Sequence, residues 1–454
     1  MWNSIDELIR MRDNKKLSEV LRTFSGFEVA DLLANKSEER QLQIFMALPV
    51  DLAFEAFDFL SPKTQRYLLQ SLPSSQAAYL LKSLSPDDRT AFLEDLPRET
   101  IDAFVKLLPA NERLLTLKLL GYPEESIGRL MTTDYIAVMR NWTVEKVLDH
   151  IKAYGHDSET IDYIYVVDEA GKLIDDIKLK EFLFVPRSFH VRDISKGKFI
   201  ALSVTEDEET AINAFRVHNR SALPVIDEDG ILLGIVTIDD ILRLSDEEAT
   251  EDIQKIGGME ALDEPYMQVS FPELIKKRAG WLVILFLGEM MTATALGYFE
   301  GEIAKAVVLA LFLPLVISSG GNAGSQAATL IVRALALEEV KLRDWWKIVK
   351  REFAAGLVLG LILGLIGFLR VVLWSQFSNI YGEHWFLLGL TIYFSLMGVV
   401  LWGTLAGSIL PLILRYFHID PATSSAPFIA TMVDVVGLII YFCVAILILS
   451  GTLL

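Results

Sequence analysis

The stretch that decides the fold is PFIATMVDVVGLIIYFCVAILIL, which runs from Pro427 to Leu449. It is long enough to cross a bilayer as a helix, and it carries one charged residue, Asp434. A charge at bilayer depth costs at least about 2.5–3.5 kcal/mol on insertion scales, so it rarely faces lipid. We therefore expect Asp434 to face a water-filled path, an ion or a partner group. The alternative is a neutral Asp434 that is hydrogen-bonded to a neighbouring helix.

The distribution of charge divides the 454 residues into two parts. Residues 1–278 contain 50 Asp and Glu against 33 Lys and Arg, a net charge of −17, and the remainder contains 10 against 9, a net charge of −1. The first part predicts two or more acidic soluble domains, and the second predicts a membrane domain. Acidic surfaces disfavour nucleic acid as a partner and favour cations. Cys443 is the single cysteine and the six histidines do not cluster, so neither an internal disulfide nor a zinc site is expected.

Five apolar segments are predicted to cross the lipid bilayer as helices. They cover residues 279–299, 304–335, 353–374, 385–414 and 423–450. Basic residues precede the first segment at 276–278, follow the second between 341 and 351, and follow the fourth at Arg415, whereas the other two loops are poor in them. Because basic loops stay in the cytoplasm, we expect the N-terminus inside and the C-terminus outside. The start of the chain lacks the basic and apolar segments of a cleavable signal peptide.

The second segment is predicted to be a broken helix, because it reads LPLVISSGGNAGSQ from Leu313 to Gln326. Irregular backbone at membrane depth is tolerated only where protein buries it or water lines it. Freed carbonyls at Gly320, Gly321 and Gly324, together with the Asn322 side chain, would then suit a hard cation beside Asp434. A kinked helix that is closely packed through its glycines is the alternative. Glu289, in the first segment, has no partner that the sequence identifies and is a second candidate for the ion path.

Two repeat systems organise the acidic part. Leucine recurs every twelve residues from Leu48 to Leu120, with a proline within two residues after each of the first six leucines. Since proline suits the first turn of a helix, this pattern predicts short helices stacked into a superhelix. The acids of these repeats, among them Asp87, Asp88, Glu94 and Asp95, are typical of a solvated face.

The second repeat covers about residues 126–245, where VIDEDGILLGIVTIDD from Val225 matches a segment 59 residues earlier. These tandem α/β modules resemble CBS domains, which pair and often bind adenine nucleotides. The second copy keeps the glycine, threonine and aspartate of that motif as Gly234, Thr237 and Asp240. The first copy departs from it, with Asp175, Lys178 and Glu181 at the matching positions.

An acidic segment follows, in which glutamates and aspartates lie four residues apart, as do Glu248 and Asp252. Like charges at this spacing are neighbours on a helix and repel each other. We expect a connecting helix whose surface is bridged by divalent cations and controls the pore, with a solvated linker helix as the alternative.

The whole order resembles the MgtE family of bacterial magnesium channels. The resemblance rests on GGNAGSQ in the second span, on Arg333 to Leu337, on Asp420-Pro421 and on Pro427 to Gly437. It implies a homodimer in the bacterial inner membrane, with a pore lined by the second and fifth spans and hydrated Mg²⁺ at Asp434. It also implies that intracellular Mg²⁺ closes the pore. The implied sensor ligands are Asp240, Glu248, Glu251, Asp252, Asp207 and Glu209, with Asp88 and Asp95 from the repeats. Arg243 stands where relatives can carry an acid, which changes the number or affinity of the sensor sites.

The predicted architecture is thus a multidomain membrane protein. An α-helical repeat domain (1–125) is followed by two CBS modules (126–188 and 189–245), a connecting helix (246–272) and an all-α domain of five spans (273–454). The expected function is Mg²⁺ import down its electrochemical gradient, with ATP as a candidate ligand at Thr237 and Asp240. No phosphate-binding loop of an ATPase is present, so no enzyme activity is expected. A membrane-anchored nucleotide or metal sensor without transport is the second hypothesis, and an anion carrier is disfavoured because the spans lack basic pore residues. Selectivity among divalent cations stays open.

Overall fold

Short helices joined by tight turns form the first part of the computed structural model. The structure describes residues 8, 11, 14–34, 36–94, 96–262, 264–267, 269–378 and 380–453, with the backbone alone at 14, 58 and 62. These helices are α1 (Asn14–Leu21), α2 (Gly26–Ala34), α3 (Glu38–Ala47), α4 (Val50–Asp58), α5 (Pro62–Ser71), α6 (Ser74–Ser83), α7 (Pro86–Glu94), α8 (Arg98–Val105) and α9 (Ala110–Leu119). All seven leucines of the twelve-residue repeat belong to their common core or pack against it. The predicted helical repeat is confirmed.

The prolines of the repeat begin helices rather than interrupt them. Pro49, Pro73, Pro97 and Pro109 are the residues immediately before a helix, and Pro62 and Pro86 are first helical residues. At these positions a backbone N–H has no partner within the helix, so its absence costs nothing. Each proline therefore sets where the next repeat starts.

Two α/β modules follow, each built on a three-stranded sheet. The first contains α10 (Ile127–Leu130), β1 (Ala137–Met139), α11 (Val144–Tyr154), β2 (Tyr163–Val167), β3 (Leu173–Lys178) and α12 (Leu179–Leu183). The second contains α13 (Val191–Ile194), β4 (Leu202–Ser203), α14 (Glu208–His218), β5 (Ala222–Ile226) and β6 (Leu232–Thr237). In both sheets the first two strands are parallel and the last two antiparallel. The pairing of Tyr163 with Lys178 recurs 59 residues later as Ala222 with Thr237, which confirms the tandem modules.

The acidic turns of the two modules are structural. The Asp168 side chain accepts hydrogen bonds from the N–H groups of Ala170 and Lys172, at 2.9 Å each. Asp227 accepts the equivalent pair of bonds in the second module, at 3.0 and 2.9 Å. A glycine at positive φ completes each turn, with φ of 84° at Gly171 and 82° at Gly230. These aspartates therefore fix the hairpins.

A long helix, α15 (Ile238–Ile256), begins directly after β6 and contains the acidic segment. The chain divides into two compact units, Met1–Asp246 and Glu247–Leu454. The second unit contains α16 (Phe271–Tyr298), α17 (Glu300–Lys305), α18 (Leu313–Ala336), α19 (Trp345–Ser375), α20 (Trp385–Tyr416) and α21 (Ala426–Leu449). Turns of 3₁₀-helix precede α18 (Val307–Phe312), α19 (Leu342–Asp344) and α21 (Pro421–Thr423). Among the described residues, five helices are long and apolar enough to span a membrane, which confirms the five predicted spans.

The prediction of a broken second span is wrong, because α18 is a continuous α-helix from Leu313 to Ala336. Pro314 lies in its first turn, where it removes no helical hydrogen bond. The glycines instead allow close contact with neighbouring helices: a Cβ added at Gly324 would lie 2.8 Å from Ile429 Cγ2 and 2.9 Å from the Gly403 carbonyl oxygen. This close packing outweighs the weak helix propensity of glycine.

Candidate functional site

Asp434 is the ninth residue of α21, about 12 Å from the helix start at 1.5 Å per residue. It is half-buried, between the fully buried Val433 and the buried Gly437. Its carboxyl group lies within hydrogen-bonding reach of Glu289 in α16, and it has no ion pair with a lysine or arginine in the described part of the chain. Asp434 is therefore a carboxylate at membrane depth that no basic side chain of the described residues neutralises.

One face of α18 is polar and exposed within a single chain. It carries Ser318, Asn322, Gln326 and Thr329, at spacings of three to four residues. Asn322 makes no hydrogen bond with any residue that the structure describes. A continuous polar stripe on a membrane helix is typical of a surface that faces water or another polar chain rather than lipid.

Gly320, Gly321 and Gly324 lie on the opposite, buried side of α18. A Cβ at Gly320 would lie 2.5 Å from Val399 Cγ1, and one at Gly321 would lie 3.5 Å from Ala430. Their carbonyls belong to a continuous helix, so the expectation that a break frees them as cation ligands loses its basis. The structure thus favours the alternative of close packing through glycine, at Gly320 and Gly324.

The N-terminal helical repeat and α15 bring three carboxylates together. Asp87 and Asp88 occupy the first turn of α7, and Asp240 the first turn of α15. One carboxylate oxygen from each lies within 4.8 Å of the others. Two helix N-termini favour negative charge here, and Ser85 and Thr237 donate hydrogen bonds to Asp88 and Asp240, at 2.8 and 2.7 Å. We call Asp87, Asp88 and Asp240 the α7–α15 acidic cluster.

Burial distinguishes Asp87 from the solvated face that the sequence predicts. Only 6% of Asp87 is exposed, and its Oδ1 has no hydrogen-bond partner among the described residues. Burial, with the neighbouring carboxylates of Asp240 and Asp88, raises the pKa of Asp87 well above its ordinary value. Burial also raises the pKa of Asp240, although the Thr237 hydroxyl and the Arg243 guanidinium act in the opposite direction.

Arg243 joins two members of this cluster. Its Nη2 lies 2.7 Å from Asp240 Oδ1 and 3.2 Å from Asp88 Oδ1. A guanidinium thus already lies where a divalent cation would balance the carboxylates. Oxygen ligands of this kind suit Mg²⁺ or Ca²⁺. Asp95, also predicted as a ligand, lies outside the described residues.

A second set of charges surrounds Lys255 near the end of α15. The Lys255 ammonium donates to Asp420 Oδ2 at 2.7 Å and also pairs with Glu251. Burial disfavours this ammonium, but its hydrogen bonds to Asp420 and Glu251 outweigh burial and raise the pKa of Lys255. Burial and the nearby Asp420 raise the pKa of Asp252, which Lys255 opposes. We call Glu251, Asp252, Lys255 and Asp420 the Lys255 cluster.

The remaining predicted ligands lie outside these two clusters. Asp207 precedes α14 and accepts from the Glu209 N–H at 2.9 Å, so it caps that helix. Glu248 lies on α15, between the two clusters along the helix. Thr237 and Asp240 are buried and hydrogen-bonded to each other, which leaves neither side chain open to a nucleotide in this conformation. In the first module, Asp175 accepts from the N–H groups of Lys196 and Gly197 at 2.6 and 2.9 Å, and therefore holds a loop.

The sequence did not identify Lys255 and Asp420 as partners or Asp87 as a buried ligand candidate. The spacing of four between Glu251 and Lys255 signals a helical ion pair, but Asp420 lies 165 residues away. No pattern in the repeat distinguishes Asp87 from Asp88.

Comparisons with known proteins match each part of this architecture. A family model described as a divalent cation transporter matches residues 313–444. The MgtE intracellular N domain matches 26–125, and the CBS domain matches 127–186 and 191–247. The magnesium transporter MgtE of Thermus thermophilus is 39% identical over 333 residues, which are 73% of this chain and 72% of the relative. The chain belongs to the MgtE family of magnesium transporters.

Other MgtE proteins extend the match. The magnesium transporter MgtE of Bacillus subtilis is 27% identical over 442 residues, 96% of this chain and 95% of the relative. The crystal structure of the cytosolic domain of the Mg²⁺ channel MgtE in complex with ATP is 31% identical, with a TM-score of 0.51, over 54% of this chain and 100% of that domain. The chain is therefore a multi-pass membrane protein of a magnesium-transport family.

Proposed function

We propose that two copies of this chain form a Mg²⁺-selective path down the electrochemical gradient, with Asp434 as its ion-binding residue. The observation that supports this proposal is a half-buried carboxylate at membrane depth without a basic partner in the described residues. Mg²⁺ gives up its water reluctantly, so a carboxylate that accepts hydrogen bonds from the hydrated ion suits it. An inside-negative potential aids entry by about 4.6 kcal/mol per dication per 100 mV, twice the single-charge value.

The polar face of α18 supplies the second wall of this path. Ser318, Asn322 and Gln326 are exposed in one chain, and a second copy related by a two-fold axis would enclose them as a wet surface. Asn322 keeps an unused side-chain oxygen that can accept a hydrogen bond from the hydrated ion. The N-terminal unit is cytoplasmic in this proposal, because the basic loops lie on its side.

Intracellular Mg²⁺ closes the path in this proposal by binding the acidic cytosolic surfaces. Asp87, Asp88 and Asp240 are the primary site, because three carboxylates converge there and the buried Asp87 Oδ1 lacks a partner. Glu251 and Asp252 of the Lys255 cluster form the second candidate, and Glu248, Asp207 and Glu209 are secondary ligands. This gating would return the protein to a closed state when cytosolic Mg²⁺ is high.

Flux through the purified chain in liposomes tests the transport proposal. We expect wild-type protein to carry Mg²⁺ inward when the interior is negative, and Asp434→Asn to abolish that flux while the variant remains folded. Glu352→Gln removes a half-buried carboxyl of the third span and serves as the matched control. Undiminished flux in Asp434→Asn would refute the assignment, and absence of flux in wild type would favour the sensor without transport.

Limited proteolysis tests the gating proposal separately. We expect millimolar Mg²⁺ to slow cleavage of the cytosolic unit of the wild-type chain, and Asp88→Asn combined with Asp240→Asn to remove that protection. Equal cleavage with and without Mg²⁺ in wild type would contradict a cytosolic sensor.

ATP binding to the CBS pair is a further part of the proposal, supported by the related cytosolic domain in complex with ATP. In this chain the Thr237 and Asp240 side chains would have to separate before they could contact a nucleotide. Calorimetric titration of the full chain with ATP, with Thr237→Val as comparison, measures whether binding occurs and whether it uses this pair.

A further inference from the structure

Glu289 is the charged residue that approaches Asp434. It belongs to α16, and its carboxyl group lies within hydrogen-bonding reach of the Asp434 carboxyl group. The two helices meet closely at this level, because a Cβ added at the adjacent Gly288 would lie 2.7 Å from Thr431 Cγ2. The Thr431 hydroxyl is bonded to the Pro427 carbonyl of its own helix, at 3.0 Å. Helix packing thus sets the position of Glu289 beside Asp434.

Two adjoining carboxyl groups at membrane depth need a positive partner. Each charge placed there is costly, and their mutual repulsion adds to that cost. Arg370, in the C-terminal half of α19, is engaged elsewhere, because its guanidinium stacks on Trp374 with 3.7 Å to the ring centroid. The described residues form no ion pair with Glu289 or Asp434. A mobile cation, or a proton shared by the two groups, must therefore provide the balance.

A second polar side chain lies on the same side of α16. Thr292 lies three residues after Glu289, so it is on the same side of α16 one turn further along. Its Oγ1 is buried and has no hydrogen-bond partner among the described residues. A buried hydroxyl without a partner calls for a water molecule or another polar group beside it. The water shell of a hydrated ion held between Glu289 and Asp434 would supply that partner.

We propose that Glu289 is a second carboxylate of the ion site and sets its affinity for dications, an inference that rests on the proposed transport function. The pair carries two negative charges and so balances one dication within a single chain. Both carboxylates accept hydrogen bonds from the retained water of the ion, and the Thr292 hydroxyl contacts the same shell. Monovalent cations leave one charge unbalanced, so Glu289 also raises selectivity for divalent ions.

Concentration-dependent flux of the full chain in liposomes tests this role. Wild type, Glu289→Gln, Asp434→Asn and the matched control Glu352→Gln are compared across external Mg²⁺ concentrations. A unit charge about 5 Å from a dication changes affinity about tenfold even at the dielectric constant of water. We therefore expect Glu289→Gln to raise the half-saturating Mg²⁺ concentration about tenfold and Glu352→Gln to leave it unchanged. A merely structural role would lower the maximal rate and leave half-saturation unchanged, which would overturn the proposal.

Carboxyl labelling of the wild-type chain gives a second measurement that does not depend on the folding of a variant. An apolar carbodiimide is applied with and without millimolar Mg²⁺, and labelled residues are quantified by mass spectrometry. We expect Mg²⁺ to protect Glu289 severalfold and not Glu352. Equal labelling of Glu289 in both conditions would overturn the proposal and would favour a shared proton. Retained flux in Asp434→Asn would refute the proposed transport site, whereas lost flux there with unchanged Glu289→Gln half-saturation would refute only the role of Glu289.

Discussion

Arg243→Ala removes the guanidinium that joins two carboxylates of the α7–α15 acidic cluster. In the native chain Nη2 lies 2.7 Å from Asp240 Oδ1 and 3.2 Å from Asp88 Oδ1. Without it, Asp87, Asp88 and Asp240 lose the cation that holds the start of α7 against the start of α15. We expect the variant to depend on Mg²⁺ for this contact far more than the wild type does.

The size of the effect follows from exposure. The Asp240 side chain is 8% exposed, that of Asp88 34% and that of Arg243 52%. Removing one partner of a buried pair costs about 3–5 kcal/mol, and a fully exposed pair contributes about 0–1 kcal/mol. For this partly solvated pair we expect a loss of about 1–2 kcal/mol in Mg²⁺-free buffer. Mg²⁺ at ten times its Kd would return about 1.4 kcal/mol, which is close to full recovery.

The assay is thermal unfolding of the N-terminal unit, Met1–Asp246, within the full chain, with EDTA or with increasing Mg²⁺. Arg243→Ala is expected to unfold earlier than wild type in EDTA and to approach wild type in millimolar Mg²⁺. Arg216→Ala serves as the control, because the exposed Arg216 donates a hydrogen bond to Asn213 of its own helix, at 3.0 Å. An Arg243→Ala deficit of the same size with and without Mg²⁺ would refute the idea that a guanidinium and a metal ion compete for this cluster.

Three further predictions concern other parts of the molecule. Gly324→Ala should destabilise the membrane unit by about 1–3 kcal/mol, because the added Cβ would collide with Ile429 and the Gly403 carbonyl. Gly321→Ala should be tolerated, because its added Cβ would lie 3.5 Å from Ala430. Thermal unfolding in detergent compares the two variants. Lys255→Met should speed hydrogen exchange in the last turn of α15 by about tenfold, because the 2.7 Å contact with Asp420 is lost, while Lys341→Met should not. Burial raises the pKa of Asp176 to about 6, although the Arg220 guanidinium opposes this shift. Because the ordinary pKa is 3.8, ionisation of Asp176 lowers the free energy of unfolding by about 3 kcal/mol. The stability that protonated Asp176 contributes is present below about pH 4 and is lost as the pH rises through about 6. The urea midpoint of wild type should therefore fall over this range more than that of Asp176→Asn. Asp149→Asn, at an exposed position, is the control, and parallel midpoints in all three proteins would contradict the assignment.

The fold was largely predictable because its signals are local. The twelve-residue leucine spacing, the prolines that begin helices and the apolar segments all act within a few residues of chain. The repeat of 59 residues likewise predicts the register that pairs Tyr163 with Lys178 and Ala222 with Thr237. In each case the local pattern and the tertiary structure favour the same conformation.

The errors arose where tertiary contacts outweigh local preference. GGNAG predicts a weak helix, yet Gly320 and Gly324 stay helical because α20 and α21 approach too closely for any larger side chain. Asp87 and Asp88 are adjacent and chemically identical, and only the packing of α7 buries the first and leaves the second accessible. The proximity of Glu289 to Asp434 depends on which spans are neighbours, and hydropathy carries no information on that arrangement.

The lengths of the spans have a consequence for the lipid. Helices α19 and α20 contain 31 and 32 residues, about 46–48 Å at 1.5 Å per residue, against about 30 Å of hydrocarbon. With 24 residues each, about 36 Å, α18 and α21 have the least excess length, and Asp434 lies only about 12 Å from the first residue of α21. Shorter acyl chains would bring the headgroup layer nearer to that carboxylate, and longer chains would deepen its burial. Membrane thickness would thus set how deeply the Asp434 carboxyl group lies below the lipid headgroups.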